Sequence, residues 1–68
     1  MNDRAIIEAR KIIAVAKSCI RQNQEILRHQ RDISPFAYKT FLDIIKNDQE
    51  LIQFMVIFIK TYAKKLNA

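Results

Sequence analysis

The sequence predicts an all-α protein made of two long antiparallel helices, and three observations support this prediction. The chain of 68 residues contains no glycine and one proline, whereas strand-rich folds need turn residues at short intervals. Its apolar residues recur with a seven-residue period over most of the length. The proline follows Ser34, and this pair is a strong start signal for a second helix. We therefore expect residues 1–68 to form a single all-α domain.

The first helix is expected to run from about residue 3 to residue 31, with Asn2 or Asp3 as its N-cap. Two neighbouring rows with seven-residue spacing form its apolar side: Ile6, Ile13, Ile20 and Leu27, and beside them Ala5, Ile12, Cys19 and Ile26. Ala9 and Ala16 lie between these rows, and their small size allows a second helix to approach closely.

The second helix is expected over about residues 35–66, after a turn of about three residues that makes the two helices antiparallel neighbours. The residues of each helix that are expected to pack against the other helix are called its seam. In the second helix they follow each other at alternating steps of three and four: Tyr38, Phe41, Ile45, Asp48, Ile52, Met55, Ile59, Tyr62 and Leu66. The segment from Asn47 to Glu50 also resembles a capping box, so a break near Asn47 and a third helix form the alternative. Because the steps of three and four continue across Asn47 without interruption, the pattern favours two helices.

The segment Leu51–Ile59 is apolar at every position except Gln53, so as a helix it needs cover on nearly every side. Folding the chain about residues 33–34 places residue i near residue 67 − i, so Ala16 faces Leu51. A hairpin covers one flank of the segment, and we therefore expect two chains to dimerise into a four-helix bundle. With one cysteine and one histidine, neither an intramolecular disulfide nor an ordinary zinc site is expected to stabilise the chain instead.

The flank of the second helix that a hairpin leaves uncovered is the predicted protein interface. Leu51, Phe54 and Phe58 form this flank, and the predicted interface also includes Met55 and Tyr62 from the neighbouring seam. Aromatic residues and methionine are enriched in interface cores. This pattern favours a non-enzymatic adaptor or regulator that binds protein, as a homodimer and with a possible heterologous protein partner.

The formal net charge of +5 favours anionic partners. An outer stripe of the first helix consists of Arg10, Lys17, Arg21, Arg28 and Arg31. Such a stripe can follow a phosphate backbone, so the alternative function is an RNA- or DNA-binding regulator. The competing interpretation is a solvated face, with Glu25 four residues from both Arg21 and His29.

No catalytic, cofactor-binding or metal site is expected. Cys19 and His29 are separated by about 15 Å along one helix, too far for a nucleophile and its base. The absence of glycine excludes a phosphate-binding loop and a dinucleotide fingerprint. Leu51–Ile59 has about half the ~20 residues that a transmembrane helix needs. The charged N-terminal segment and the free cysteine predict a cytoplasmic location.

Overall fold

The protein is a helical hairpin, as the sequence predicts. The computed structural model describes residues 4–66, with side chains for residues 4–65. Helix α1 spans Arg4–His29 and helix α2 spans Pro35–Leu66, and the two pack against each other. Because α2 continues through Asn47 without a break, the prediction of two helices rather than three is confirmed. The predicted N-caps Asn2 and Asp3 lie outside the described residues.

The turn between the helices comprises residues 30–34 and is longer than the predicted three residues. The backbone N–H of Gln30 still donates to the carbonyl of Ile26 at 2.9 Å, but α1 ends at His29 rather than at residue 31. Ser34 caps α2 as predicted, since its Oγ accepts a hydrogen bond from the N–H of Ala37 at 3.1 Å. Pro35 disfavours helical geometry at the residue before it, so the chain has to complete its reversal before Pro35. The reversal therefore uses residues that were predicted to belong to the end of α1.

Burial follows the predicted seven-residue pattern along both helices. Seam positions are buried or half-buried at Ile6, Ala9, Ile13, Ala16, Ile20, Asn23 and Leu27 of α1, and at Phe41, Ile45, Asp48, Ile52, Met55, Ile59 and Tyr62 of α2. Tyr38 was predicted in this seam but is 46% exposed. It lies in the first turn of α2, level with the end of α1, where little of α1 remains to cover it.

The core of the hairpin is thin. In the described part of the chain, the buried apolar residues are Ala9, Ala16 and Ile45, and no large side chain there is fully buried. The Cα atoms extend over 53 × 14 × 12 Å, which is the shape of one layer of two helices. The accessible surface is 5705 Å², whereas a compact monomer of 8.0 kDa exposes about 4,400 Å². The hairpin therefore exposes considerably more surface than a compact monomer of its mass.

Candidate functional site

One side of the hairpin presents a continuous apolar surface, which we call the apolar face. It is formed by Ile12, Val15 and Cys19 of α1 and by Leu51, Phe54 and Phe58 of α2. Two adjoining shallow depressions run along it, with volumes of about 260 and 370 Å³. Ile12 and Glu8 contribute to both depressions, so the two form one groove between the helices.

The seven-residue pattern explains why these side chains share one side. In an antiparallel pair, corresponding flanks of the two seams point in the same direction. Ala16 and Leu51 line the first depression, whereas Ala9 and Phe58 line the second, as expected if residue i lies near residue 67 − i. The row that contains Ile12 therefore meets the flank of α2 that contains Phe54.

The apolar face remains accessible to solvent in the hairpin. The side chains of Val15 and Phe54 are the most accessible, with 63% and 65% of each residue exposed. Ile12, Leu51 and Phe58 are 40%, 39% and 37% exposed. An exposed apolar surface of this continuity is typical of a site that contacts another macromolecule.

The five predicted interface residues occupy two different environments. Leu51, Phe54 and Phe58 are exposed on the apolar face. Met55 and Tyr62 are half-buried in the seam, where Met55 lines the second depression. The ring of Tyr62 stacks on Phe58 with a centroid separation of 5.7 Å and an interplanar angle of 24°, and thereby supports it from within the hairpin.

The contribution of α1 to this face was not identified from the sequence. Ile12 and Cys19 were placed in a row beside the seam, but Val15 was not assigned to any surface. Val15 lies three residues after Ile12 and four before Cys19, and this spacing places all three on one flank. The same spacing rule could have grouped Val15 with Ile12 and Cys19 from the sequence.

Charged groups near the apolar face are few. Glu8 and Lys11 form an exposed ion pair at its edge, with 3.5 Å between Oε1 and Nζ. Asp48 is half-buried at a seam position and lines the first depression. Among the described residues, no group of three or more His, Cys, Asp or Glu side chains could hold a metal ion.

The predicted basic stripe lies away from the apolar face. Glu25 pairs with Arg28 at 3.1 Å and with His29 at 3.0 Å, so the predicted partner His29 is observed. Arg21, the other predicted partner, is not engaged; both observed partners follow Glu25 in the chain, the favourable order in a helix. Cys19, in contrast, lines the apolar groove and is not associated with His29.

Neither α1 nor α2, within the residues described, is long and apolar enough to cross a membrane. Comparison with protein-family models, with curated proteins and with solved structures gave no significant match. The function has to be inferred from the surfaces of the hairpin themselves.

Proposed function

We propose that the protein acts by binding protein rather than by catalysis, and that the first partner of its apolar face is a second copy of the chain. The surface area of the hairpin is the observation on which this proposal rests. The 5705 Å² of accessible surface exceeds the value for a compact monomer by about 1,300 Å². A standard interface buries about 800 Å² on each partner. A second hairpin on the apolar face would thus remove more than half of this excess.

The shape of the face supports a symmetric pair. Phe54 projects from α2 with 65% exposure, and the depression lined by Val15, Cys19 and Leu51 lies a short distance along the groove. A twofold axis between these two features would insert Phe54 of each hairpin into the depression of the other. Such an arrangement is self-complementary, as a twofold interface requires.

The position of the groove also suits a four-helix bundle. Val15 and Leu51 lie near the midpoints of α1 and α2. Two hairpins related by an axis at this point overlap along most of their length, which gives two layers of helices around a shared core. The face would then be closed in the dimer and accessible in the monomer, so a heterologous partner would compete with the second copy. Because a second copy and a heterologous partner would compete for the same face, we propose that the protein acts as a regulator or adaptor.

The thiol of Cys19 provides a test of this proposal because it lies on the apolar face and is half-buried in the single hairpin. The rate of its alkylation should fall as the protein concentration rises, since dimerisation covers it. A Ser18→Cys, Cys19→Ser variant is the matched control, because position 18 is exposed on the outer side of α1. Its alkylation rate should not depend on concentration.

A Cys19 rate that is independent of concentration would overturn self-association through this face and would assign the face to another protein. An equal decrease at positions 18 and 19 would also contradict the proposal, because it indicates general aggregation.

A further inference from the structure

The side of the hairpin opposite the apolar face carries basic residues from both helices, and we call it the basic face. It comprises Arg10, Lys17, Arg21 and Arg28 of α1 and Lys39, Lys46 and Lys60 of α2. The residues of α1 occupy the flank of the seam opposite to Ile12, and the lysines of α2 occupy the corresponding flank of α2. In an antiparallel pair these two flanks point to the same side. The lysines thereby widen the single stripe of α1 into a surface across both helices.

Within Arg4–His29 and Pro35–Leu66, no acidic residue lies on these two flanks. Asp43 and Glu50 lie on the outer side of α2, and Glu25 lies on the outer side of α1, each at a position between the flanks. Asp48 is in the seam and Glu8 is at the edge of the apolar face. The other residues of the flanks within the two described helices are uncharged. A net charge of +5 is therefore distributed unevenly, with its positive part concentrated on one face.

The basic residues are densest near the turn. Because residue i lies near residue 67 − i, Arg21 is level with Lys46 and Arg28 is level with Lys39. Lys17 extends this cluster away from the turn, so that from Lys17 to Arg28 it spans about 16 Å at 1.5 Å per residue. Arg31, the last residue of the predicted stripe, lies in the turn and outside α1. Rows of cations at about 10 Å intervals, on two antiparallel helices, thus form one elongated patch.

These cations are available to a ligand. Lys17, Arg21, Lys39 and Lys46 form no ion pair with any carboxylate of the described residues. Arg28 pairs with Glu25, and both side chains are at least half exposed. An exposed pair of this kind is weak, so an anion of higher charge density can displace Glu25 from it.

The chemistry of the face distinguishes among polyanions. No aromatic residue occupies these flanks, and stacking on aromatic rings is what single-stranded bases require. Near the turn, Leu42 is the apolar residue of the face, whereas a helix that binds a lipid surface combines its basic residues with a continuous apolar side. The grooves that a protein partner would fill with anchor residues lie on the apolar face. Of these modes of binding, the recognition of regularly spaced negative charges is the one that fits the basic face.

We propose that the basic face binds the phosphate backbone of a nucleic-acid duplex through Lys17, Arg21, Arg28, Lys39 and Lys46. A duplex presents one negative charge per about 1.7 Å of its axis, a density that rows of cations neutralise with release of counterions. Backbone contacts of this kind carry little sequence information, so binding should be largely independent of sequence. The site lies within one hairpin and goes beyond the protein-binding role, so it does not depend on self-association.

The test measures the fluorescence anisotropy of labelled duplex DNA and duplex RNA of mixed sequence, titrated with the full-length protein at several salt concentrations. With five phosphate contacts, affinity for duplex DNA should fall by about 500-fold between 50 and 200 mM salt. The Arg21→Gln, Lys46→Gln variant should bind at least about tenfold more weakly at moderate salt and with a shallower salt dependence. The duplex DNA and duplex RNA arms decide which nucleic acid is preferred.

The matched control is Lys64→Gln, Lys65→Gln, which removes the same charge from two exposed lysines outside the basic face. Circular dichroism of each variant verifies that the helices are retained. Full binding by the control together with loss in the Arg21→Gln, Lys46→Gln variant supports the proposal. Equal losses in both variants, or no duplex binding at low salt, would overturn it. Equal or tighter binding to polyglutamate, to a single strand or to anionic vesicles would also overturn it.

Discussion

Replacement of Phe54 by alanine is the sharpest test of the proposed dimer interface. Phe54 is 65% exposed in the hairpin, so its removal costs the monomer little. Burying a whole phenylalanine side chain contributes about 1.5–3 kcal/mol, so burying the exposed part contributes about 1–2 kcal/mol. A twofold interface contains the residue twice, which gives about 2–4 kcal/mol in total. The Phe54→Ala variant should therefore raise the dissociation constant of the dimer by about 30- to 1,000-fold.

Sedimentation equilibrium over a range of concentrations measures this dissociation constant directly. Phe36→Ala is the matched control, because Phe36 is 82% exposed and lies on the outer side of α2 near the turn. We expect a large increase in the dissociation constant for Phe54→Ala and no change for Phe36→Ala. Similar dissociation constants for Phe54→Ala and the unmodified protein would refute the assignment of Phe54 to the interface.

Three further substitutions test the hairpin itself, each by urea unfolding. Ser34→Ala should lower the free energy of unfolding by about 1 kcal/mol, because the N–H of Ala37 loses its acceptor; an unchanged midpoint would show that the cap is not needed. Ala16→Leu should cost about 1–3 kcal/mol, because Ala16 is 3% exposed between the helices, whereas Ala14→Leu on the exposed side should cost little. Asp48→Leu should raise the free energy of unfolding by on the order of 1 kcal/mol, because it replaces a half-buried carboxylate at a seam position with an apolar side chain; a decrease would show that the carboxylate stabilises the pairing.

The seam of the hairpin is predictable from the sequence because helix packing has one dominant requirement, an apolar row at steps of three and four. That spacing places Ala9 and Ala16 of α1 against the large residues of α2, and both are buried. It also carries α2 through Asn47, where local capping signals suggest a new helix. The continuous packing surface along α2 outweighs the modest propensity cost of Asn47 and Asp48 inside a helix.

The ends of the elements are less predictable, because they depend on how the chain reverses. Ser34 and Pro35 fix the start of α2, but the sequence does not specify how many residues the reversal takes from α1. That number determines where α1 stops and hence whether Tyr38 is covered. Terminal turns of helices are generally the parts that local sequence defines least.

The sequence predicts only one helix's share of the apolar face and of the basic face, because each face combines residues of both helices. The sequence identifies Phe54 and Phe58 on α2, and Arg21 on α1, as members of separate stripes. Which stripe of one helix joins which stripe of the other depends on how each helix is rotated about its own axis, and the residues that line the groove establish this rotation. Val15 therefore joins the apolar face and Lys46 the basic face only after the hairpin is assembled.

The most direct test of the central claim is the mass of the unmodified protein by sedimentation equilibrium. If a second copy covers the apolar face, the protein at high concentration has twice the chain mass of 8.0 kDa and approaches 8.0 kDa on dilution. A mass of 8.0 kDa at every concentration would contradict the claim.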